Sequence, residues 1–504
     1  MSNILDRIVD GYTFLRQWPI RELRPKGNDC MNIWIRRTLL LLILIISVAA
    51  VYLSSATTSK EEILGSIEQH LKGNRPEEAL AVAQNAVETF ADNKDFNALY
   101  SIALERCNQI EHAEMIARDV IENKAEHPEA HFALAEIEDG RSNWESVVDH
   151  AGKAVASKRF GGEAQLLLAS SYVNQNELEK AVENFTSALD RVDYFTGERI
   201  SNIKSILEFS KTIRETDLYS IDNSFSSTSL SSRVRYTKVF VPVTVNGNTA
   251  GEFVIDTGNS GMVSLTEEFA KKLGIKNYGS LQVRGADGKF TMWISIVDSL
   301  KIGDLVVRNV PVAVSKSKAI AVNLQGNIGR LLLHRFNVSI DYQNKKVHIF
   351  SKERKADQLA LINDESISTR TPINYRQMLL INVRVNEQGS TPFILDTGAH
   401  KTLLRKVFVD DYLRHTIRIT PDSRVKIRGA RGKAIPATLM NLSSLEFGGA
   451  RFEEVEAISV DLAQTFANSN QLISGIIGAD LFQKSRLHFN FADSELIVED
   501  MSRR

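Results

Sequence analysis

Apolar and polar residues are distributed unevenly along this chain, and the first break comes early. From Thr38 to Leu53 it reads TLLLLILIISVAAVYL, without a charge and directly after Arg36-Arg37. No polar face interrupts the run, so it predicts a membrane span rather than a core helix, although it is short against the roughly 20 residues a span usually needs. We expect a single transmembrane signal anchor over 38–55. The 1–37 segment carries seven Arg or Lys against four acids, which places it in the cytoplasm. A cleaved signal peptide ending near Ser54 and Ala56, with Met31 as the start, is the alternative. Both readings put everything after residue 56 outside the cytoplasm, giving a single-pass inner (cytoplasmic) membrane protein with a periplasmic catalytic half.

From 60 to 217 the pattern becomes helical and periodic. Ala79, Ala113, Val147 and Ala181 lie 34 residues apart, and Ala86, Val120, Ala154 and Ala188 follow each by seven. Small residues at fixed positions let two helices of a hairpin approach closely. The period resembles the tetratricopeptide repeat, best in the last unit with Leu168, Ala169, Tyr172, Ala181, Phe185 and Ala188, though no unit has Trp at its fourth position. The resemblance implies an all-α solenoid that binds a protein partner. A generic helical bundle is the plainer alternative. Ile203, Ile206, Leu207 and Ile213 predict one further capping helix.

Residues 218–234 include NSFSSTSLSS (223–232), a linker by composition. Beyond it, short β-branched runs such as VFVPVTV (239–245), FVID (253–256) and VHIF (347–350) are punctuated by Gly, Asn and Asp, which predicts all-β structure. This half repeats itself. Phe253-Val254-Ile255-Asp256-Thr257-Gly258 returns 140 residues on as Phe393-Ile394-Leu395-Asp396-Thr397-Gly398. RGADGK (284–289) returns as RGARGK (428–433), and Ile328-Gly329 as Ile477-Gly478, with offsets that grow in order to 149. One Asp-Thr-Gly would mean little, but two inside matching apolar runs and in register with further matches indicate a duplicated lobe.

The ensemble resembles the retropepsin-like and pepsin-like aspartic proteases over about 235–350 and 375–500. The resemblance implies two all-β lobes, 235–351 and 375–500 joined by a linker over 352–374, in a pseudo-twofold arrangement that brings both Asp-Thr-Gly loops together. It implies Asp256 and Asp396 as catalytic residues, supported by Thr257, Gly258, Thr397 and Gly398. It also implies a flap over the substrate at the hairpin tips, with Gly285, Asp287 and Gly288 in one lobe and Gly429 and Gly432 in the other. An ordinary surface turn is the alternative reading of those tips. Two positions depart from the family pattern. Asn327 stands where the second lobe has Ile476, a substitution expected to loosen support beneath Asp256, and His400 follows Gly398-Ala399 where a small polar residue is usual.

These residue types suit amide hydrolysis. Two carboxyls brought together share one proton, as is known for aspartic protease dyads, so the pair can act on water as a base and on the scissile carbonyl as an acid. Composition removes other chemistries. Basic and acidic residues nearly cancel, 61 against 62, which argues against nucleic-acid binding. The two cysteines form no C-x-x-C pair and the ten histidines show no ligand spacing, so neither metal nor cofactor is expected. The expectation is a membrane-anchored aspartic endopeptidase acting on protein or peptide substrates, its repeats recruiting substrate or a partner. A non-catalytic peptide-binding scaffold, and a site built from like lobes of two chains, are the alternatives.

Overall fold

The computed structural model describes residues 60–123, 126–191, 195–316, 324–417, 423–429 and 432–503. The chain falls into two units, 1–63 and 64–504, of which the first is described only from residue 60. Among the described residues no helix is long and apolar enough to cross a membrane. The apolar run at 38–55 lies outside the described residues. The single transmembrane helix and the inner-membrane, periplasmic placement built on it are accordingly withdrawn.

The second unit begins with helices. Those at Pro76–Thr89, Ile110–Asn123, Trp144–Ala154 and Leu178–Leu189 start 34 residues apart, and between them lie Lys94–Arg106, Pro128–Gly140 and Gly161–Asn174. The turn before each repeats as well. Asn74, Asn108, Ser142 and Asn176, again 34 apart, all adopt φ of 55–61°, a left-handed conformation that Asn tolerates better than most residues. Ala79, Ala113, Val147 and Ala181 are fully buried, as are Val120, Ala154 and Ala188. The small side chains therefore sit where helix meets helix. A last helix, Gly197–Thr212, is capped by Thr196 Oγ1, which accepts from Arg199 N.

Among the described residues, three sheets follow the helices. The first lobe is a nine-stranded sheet in which strand Thr249–Ile255 pairs in parallel with Gly326–Ile328 and antiparallel with Lys238–Val245. The second lobe repeats this in an eight-stranded sheet, with Thr391–Asp396 parallel to Gly475–Gly478 and antiparallel to Leu379–Val385. The registers correspond: Val254 lies opposite Asn327, and Ile394 opposite Ile476.

A six-stranded sheet then joins the lobes, in the order 367–372, 495–500, 485–490, 336–341, 346–351, 227–231. Its outer strands come from segments expected to be linkers. Ser227–Ser231, inside the Ser/Thr-rich stretch, pairs along Lys346–Phe350, and Ile367–Pro372 pairs with Glu495–Glu499. Both are edge strands, where main-chain bonding matters more than side-chain apolarity. One apolar core, including Phe253, Ile255, Ile340, Phe393 and Leu395, runs through both lobes and this sheet.

The helices dock on the lobes through buried charge. Arg376 ion-pairs with Glu136 and lies 3.5 Å from Glu105, and Arg330 lies 3.7 Å from Asp139. Asn108 and Asn382 exchange two hydrogen bonds of 3.0 Å, and Leu472 N donates to Arg106 O.

Candidate active site

Each Asp-Thr-Gly follows a buried strand that ends against the parallel strand beside it. Phe253, Ile255, Phe393 and Leu395 face the core, and the chain then turns so that Asp256 and Asp396 stand above it. The two loops are cross-linked. Thr257 Oγ1 accepts from Thr397 N at 3.0 Å and donates to Leu395 O at 2.6 Å. Thr397 Oγ1 accepts from Thr257 N at 3.1 Å and donates to Ile255 O at 2.7 Å. Both threonines are 1% exposed. The two loops thus form a single unit within one chain.

This crossing brings each glycine against the opposite carboxyl. A Cβ at Gly398 would lie 2.5 Å from Asp256 Oδ1, and one at Gly258 would strike the Asp396 carboxyl. Only residues without a side chain allow that approach. The two carboxyls lie close enough to shift each other's proton affinity. Burial, then the Asp396 carboxyl, pushes Asp256 up to about 7. Burial raises Asp396 too, against the opposing pull of Lys238, whose ammonium charge favours both ionised forms. With one proton shared, the raised value belongs to the pair.

Polar support differs between lobes. Asp396 Oδ1 accepts from Gly398 N at 2.7 Å. Asp256 Oδ1 accepts from Asn259 N at 3.1 Å, and its Oδ2 accepts from Asn327 Nδ2 at 2.9 Å. Asn327, expected to loosen this loop, instead holds the carboxylate directly. Asn259, Lys238 and Tyr375, whose hydroxyl donates to Thr257 O at 3.2 Å, were absent from the sequence reading. The internal repeat could have found Asn327's role, since it aligns that residue with Ile476 on the strand beside the aspartate. His400 is exposed and hydrogen-bonded to Thr237 Oγ1 through Nδ1, outside the pair.

The glycine-rich segments are hairpin tips. In the first lobe strands Gly279–Gly285 and Gly288–Ile302 flank the turn; in the second, Arg424–Arg428 and Ala434–Phe447 do. The two tips meet: Asp287 Oδ2 accepts from Lys433 N at 3.0 Å, and a Cβ at Gly429 would lie 2.7 Å from Asp287 N. Ala286 packs on an apolar cluster that includes Ile394 and Ala399, which flank Asp396 in sequence. Gly432 takes φ +76°, and Gly432 N donates to Gly429 O. The last helix straps the first hairpin from outside. Glu198 ion-pairs with Arg284 and Lys289 at 2.9 and 2.6 Å, and Asn202 exchanges two hydrogen bonds with the Gln282 main chain.

Known proteins can now be set beside this geometry. The aspartyl protease family model matches residues 241–332 and 381–481, one stretch in each lobe, each containing its Asp-Thr-Gly. The β half is an aspartic endopeptidase. No curated protein sequence matches the chain. Among solved structures, the aspartic proteinase from Irpex lacteus is similar at 15% identity and a TM-score of 0.37, over 55% of this chain and 98% of that one. The protease acts on protein or peptide substrates.

Proposed function

We propose that this protease cuts peptide bonds with a water molecule activated by Asp256 and Asp396 together, and that its helical, tetratricopeptide-like region receives a segment of the substrate or of a partner protein. The observation that carries the reading is the seating of each loop glycine against the opposite lobe's carboxyl, which leaves room for two carboxyls to share one proton. Attack then balances. The water oxygen bonds to the scissile carbon, its proton passes to the ionised carboxylate, and the other carboxyl gives its proton to the carbonyl oxygen. Collapse of the resulting diol breaks the C–N bond. The newly protonated carboxyl protonates the amine, and a diol hydroxyl returns a proton to its partner.

For the helical region, support comes from a cavity of about 380 Å³ lined by Phe132, Leu166, Arg199 and Ile203 from the helices and by Met262 and Leu331 from the first lobe. Met262 belongs to the loop that carries Asp256: its carbonyl accepts from Asn259 Nδ2 at 3.0 Å.

The test is digestion of a peptide library between about pH 4 and 7, where a dyad holds one proton. The purified chain should cut. Asp256→Asn and Asp396→Asn should each be inactive, and mixing them should restore nothing because one chain supplies both lobes. Cleavage surviving in either variant would end this reading.

A further inference from the structure

The last helix, Gly197–Thr212, works on two faces. Glu198 and Asn202, one turn apart, bond to the first hairpin. Ser205 continues that face, and a Cβ at Gly279, where the hairpin begins, would lie 3.5 Å from its carbonyl oxygen. Arg199, Ile203, Ile206 and Ser210, with Ile213 just beyond the helix, follow one another at intervals of three and four, and all five line the cavity of about 380 Å³. That spacing sets them along a neighbouring face of the same helix. The first lobe supplies Met262, Pro311 and Leu331 to the lining, and apolar residues make up more than half of it. The volume suits a bound ligand, for which pockets of about 300–1,000 Å³ are usual.

The charges in this lining are not all paired. Arg376 pairs with Glu136, and Arg330 lies 3.7 Å from Asp139. Arg199 has no carboxylate at ion-pair distance among the described residues, and its guanidinium carbon sits 5.1 Å over the Phe195 ring. Arg199 keeps an exposed surface, yet desolvation lowers its proton affinity, with Glu163 opposing that effect and Arg106 and Arg376 adding to it. Both properties together mark a cation that faces an enclosed space rather than open solvent. Such a cation attracts a carboxylate more strongly than one on an open surface, because its surroundings screen less. Glu163, in the same lining, has its Oε2 buried without a hydrogen-bond partner, and burial raises its carboxyl. Peptide N–H groups can meet that acceptor; a hydrocarbon chain cannot. We propose that the cavity is an effector site for an apolar peptide segment whose carboxylate is held by Arg199, and that the last helix carries its occupancy to the first hairpin. This rests on the reading above that the helical region receives a protein segment, and names the segment's chemistry and its consequence. The space already exists, so filling it adds contacts to the helix without displacing it. Binding thereby stabilises the arrangement in which Glu198 and Asn202 hold the hairpin.

The experiment uses the full chain carrying Asp256→Asn, so that cleavage does not consume the probe. Calorimetry compares two acetyl-capped tripeptides of leucine, phenylalanine and leucine, one ending in a free carboxylate and the other in an amide. The acid should bind about tenfold or more tighter than the amide, and adding Arg199→Gln should abolish the difference. Equal affinity, or a preference that survives Arg199→Gln, overturns the site. The comparison of the two peptides needs no change at Arg199, so equal affinity is decisive even if that variant does not fold. Dodecanoate binding where neither peptide binds would assign the cavity to a lipid and equally overturn the proposal. Amide exchange reads the link to the hairpin. The acid should slow exchange over both 197–212 and 279–289, and adding Glu198→Ala should confine the slowing to 197–212. Slowing confined to 197–212 with Glu198 in place overturns the link. None of these readouts involves cleavage, so their failure leaves the two-aspartate reading standing, while activity persisting in either aspartate variant removes that reading instead.

Discussion

Replacing Thr397 by Val is the most direct test of the cross-linked loops. Valine matches threonine in volume, so no cavity opens, but both hydroxyl bonds go. Thr257 N, buried with its residue 1% exposed, loses its 3.1 Å acceptor, and Ile255 O loses its 2.7 Å donor. An orphaned buried N–H costs about 1–3 kcal/mol, and loss of one bond to a carbonyl with a second lone pair about 0.5–1.5 kcal/mol. The expected destabilisation is about 2–4 kcal/mol. Thr397→Ser keeps the hydroxyl and deletes a methyl, costing about 1 kcal/mol. Because Thr257 makes the mirror-image bonds to Thr397 N and Leu395 O, its Val and Ser variants should reproduce the same ordering. Urea denaturation of the four variants measures it. The loop displacement should also lower kcat, by about 100-fold for a misplacement of about 1 Å. Valine variants as stable and active as the serine ones would show that the hydroxyl exchange does not hold the loops.

Other perturbations have equally definite outcomes. Arg376→Ala takes one of two buried cations from Glu136, leaving Arg106 at 3.5 Å, and removes the Arg376 partner of Glu105; it should cost about 3 kcal/mol in chemical denaturation. A loss below 1 kcal/mol would mean that the docking charge is not a structural pair. Glu198→Ala removes both ion pairs of the first hairpin, so amide exchange over 279–289 should quicken while the core strand 336–341 stays protected. Equal exchange in both proteins would count against the strap.

Asp256→Asn should be inactive yet more stable than the parent at neutral pH. The folded pair, its Asp256 pushed up to about 7 by burial and by Asp396, keeps a proton that the unfolded chain releases near 4. The parent therefore loses stability as pH rises from about 4 to 7, at up to about 1.4 kcal/mol per unit. The two proteins should melt alike near pH 4 and diverge towards pH 7; parallel curves would contradict a raised pair.

What the residues disclosed in advance was whatever repeats. The 34-residue period survives as the spacing of helix starts and left-handed turns, because the same small residues pack each helix against the next. The Asp-Thr-Gly duplication survives as two matched parallel pairings. What stayed hidden depends on partners distant along the chain. Ser227–Ser231 looks like a linker until Lys346–Phe350 offers it a strand to join. Asn327 looked like a flaw because a polar residue on an apolar strand suggests weak packing. Only the fold brings it, from 71 residues away, to Asp256. The 38–55 run was read from apolarity alone and lies outside the described residues.

The helical region also reaches the Asp-Thr-Gly loops by a short path. Glu136 and Asp139, on helix Pro128–Gly140, hold Arg376 and Arg330. Arg330 Nε donates to Tyr375 O at 2.5 Å, and Tyr375 is fully packed beside Phe491 while its hydroxyl donates to Thr257 O. Two residues, Arg330 and Tyr375, thus separate a helix of the repeat region from the loop that carries Asp256. From the other side, Glu198 and Asn202 of the last helix grip the hairpin whose tip meets the second lobe. On the reading proposed above, a helical region bonded both to the Asp256 loop and to the first hairpin would be part of the catalytic framework, because burial raises the proton affinity of both aspartates.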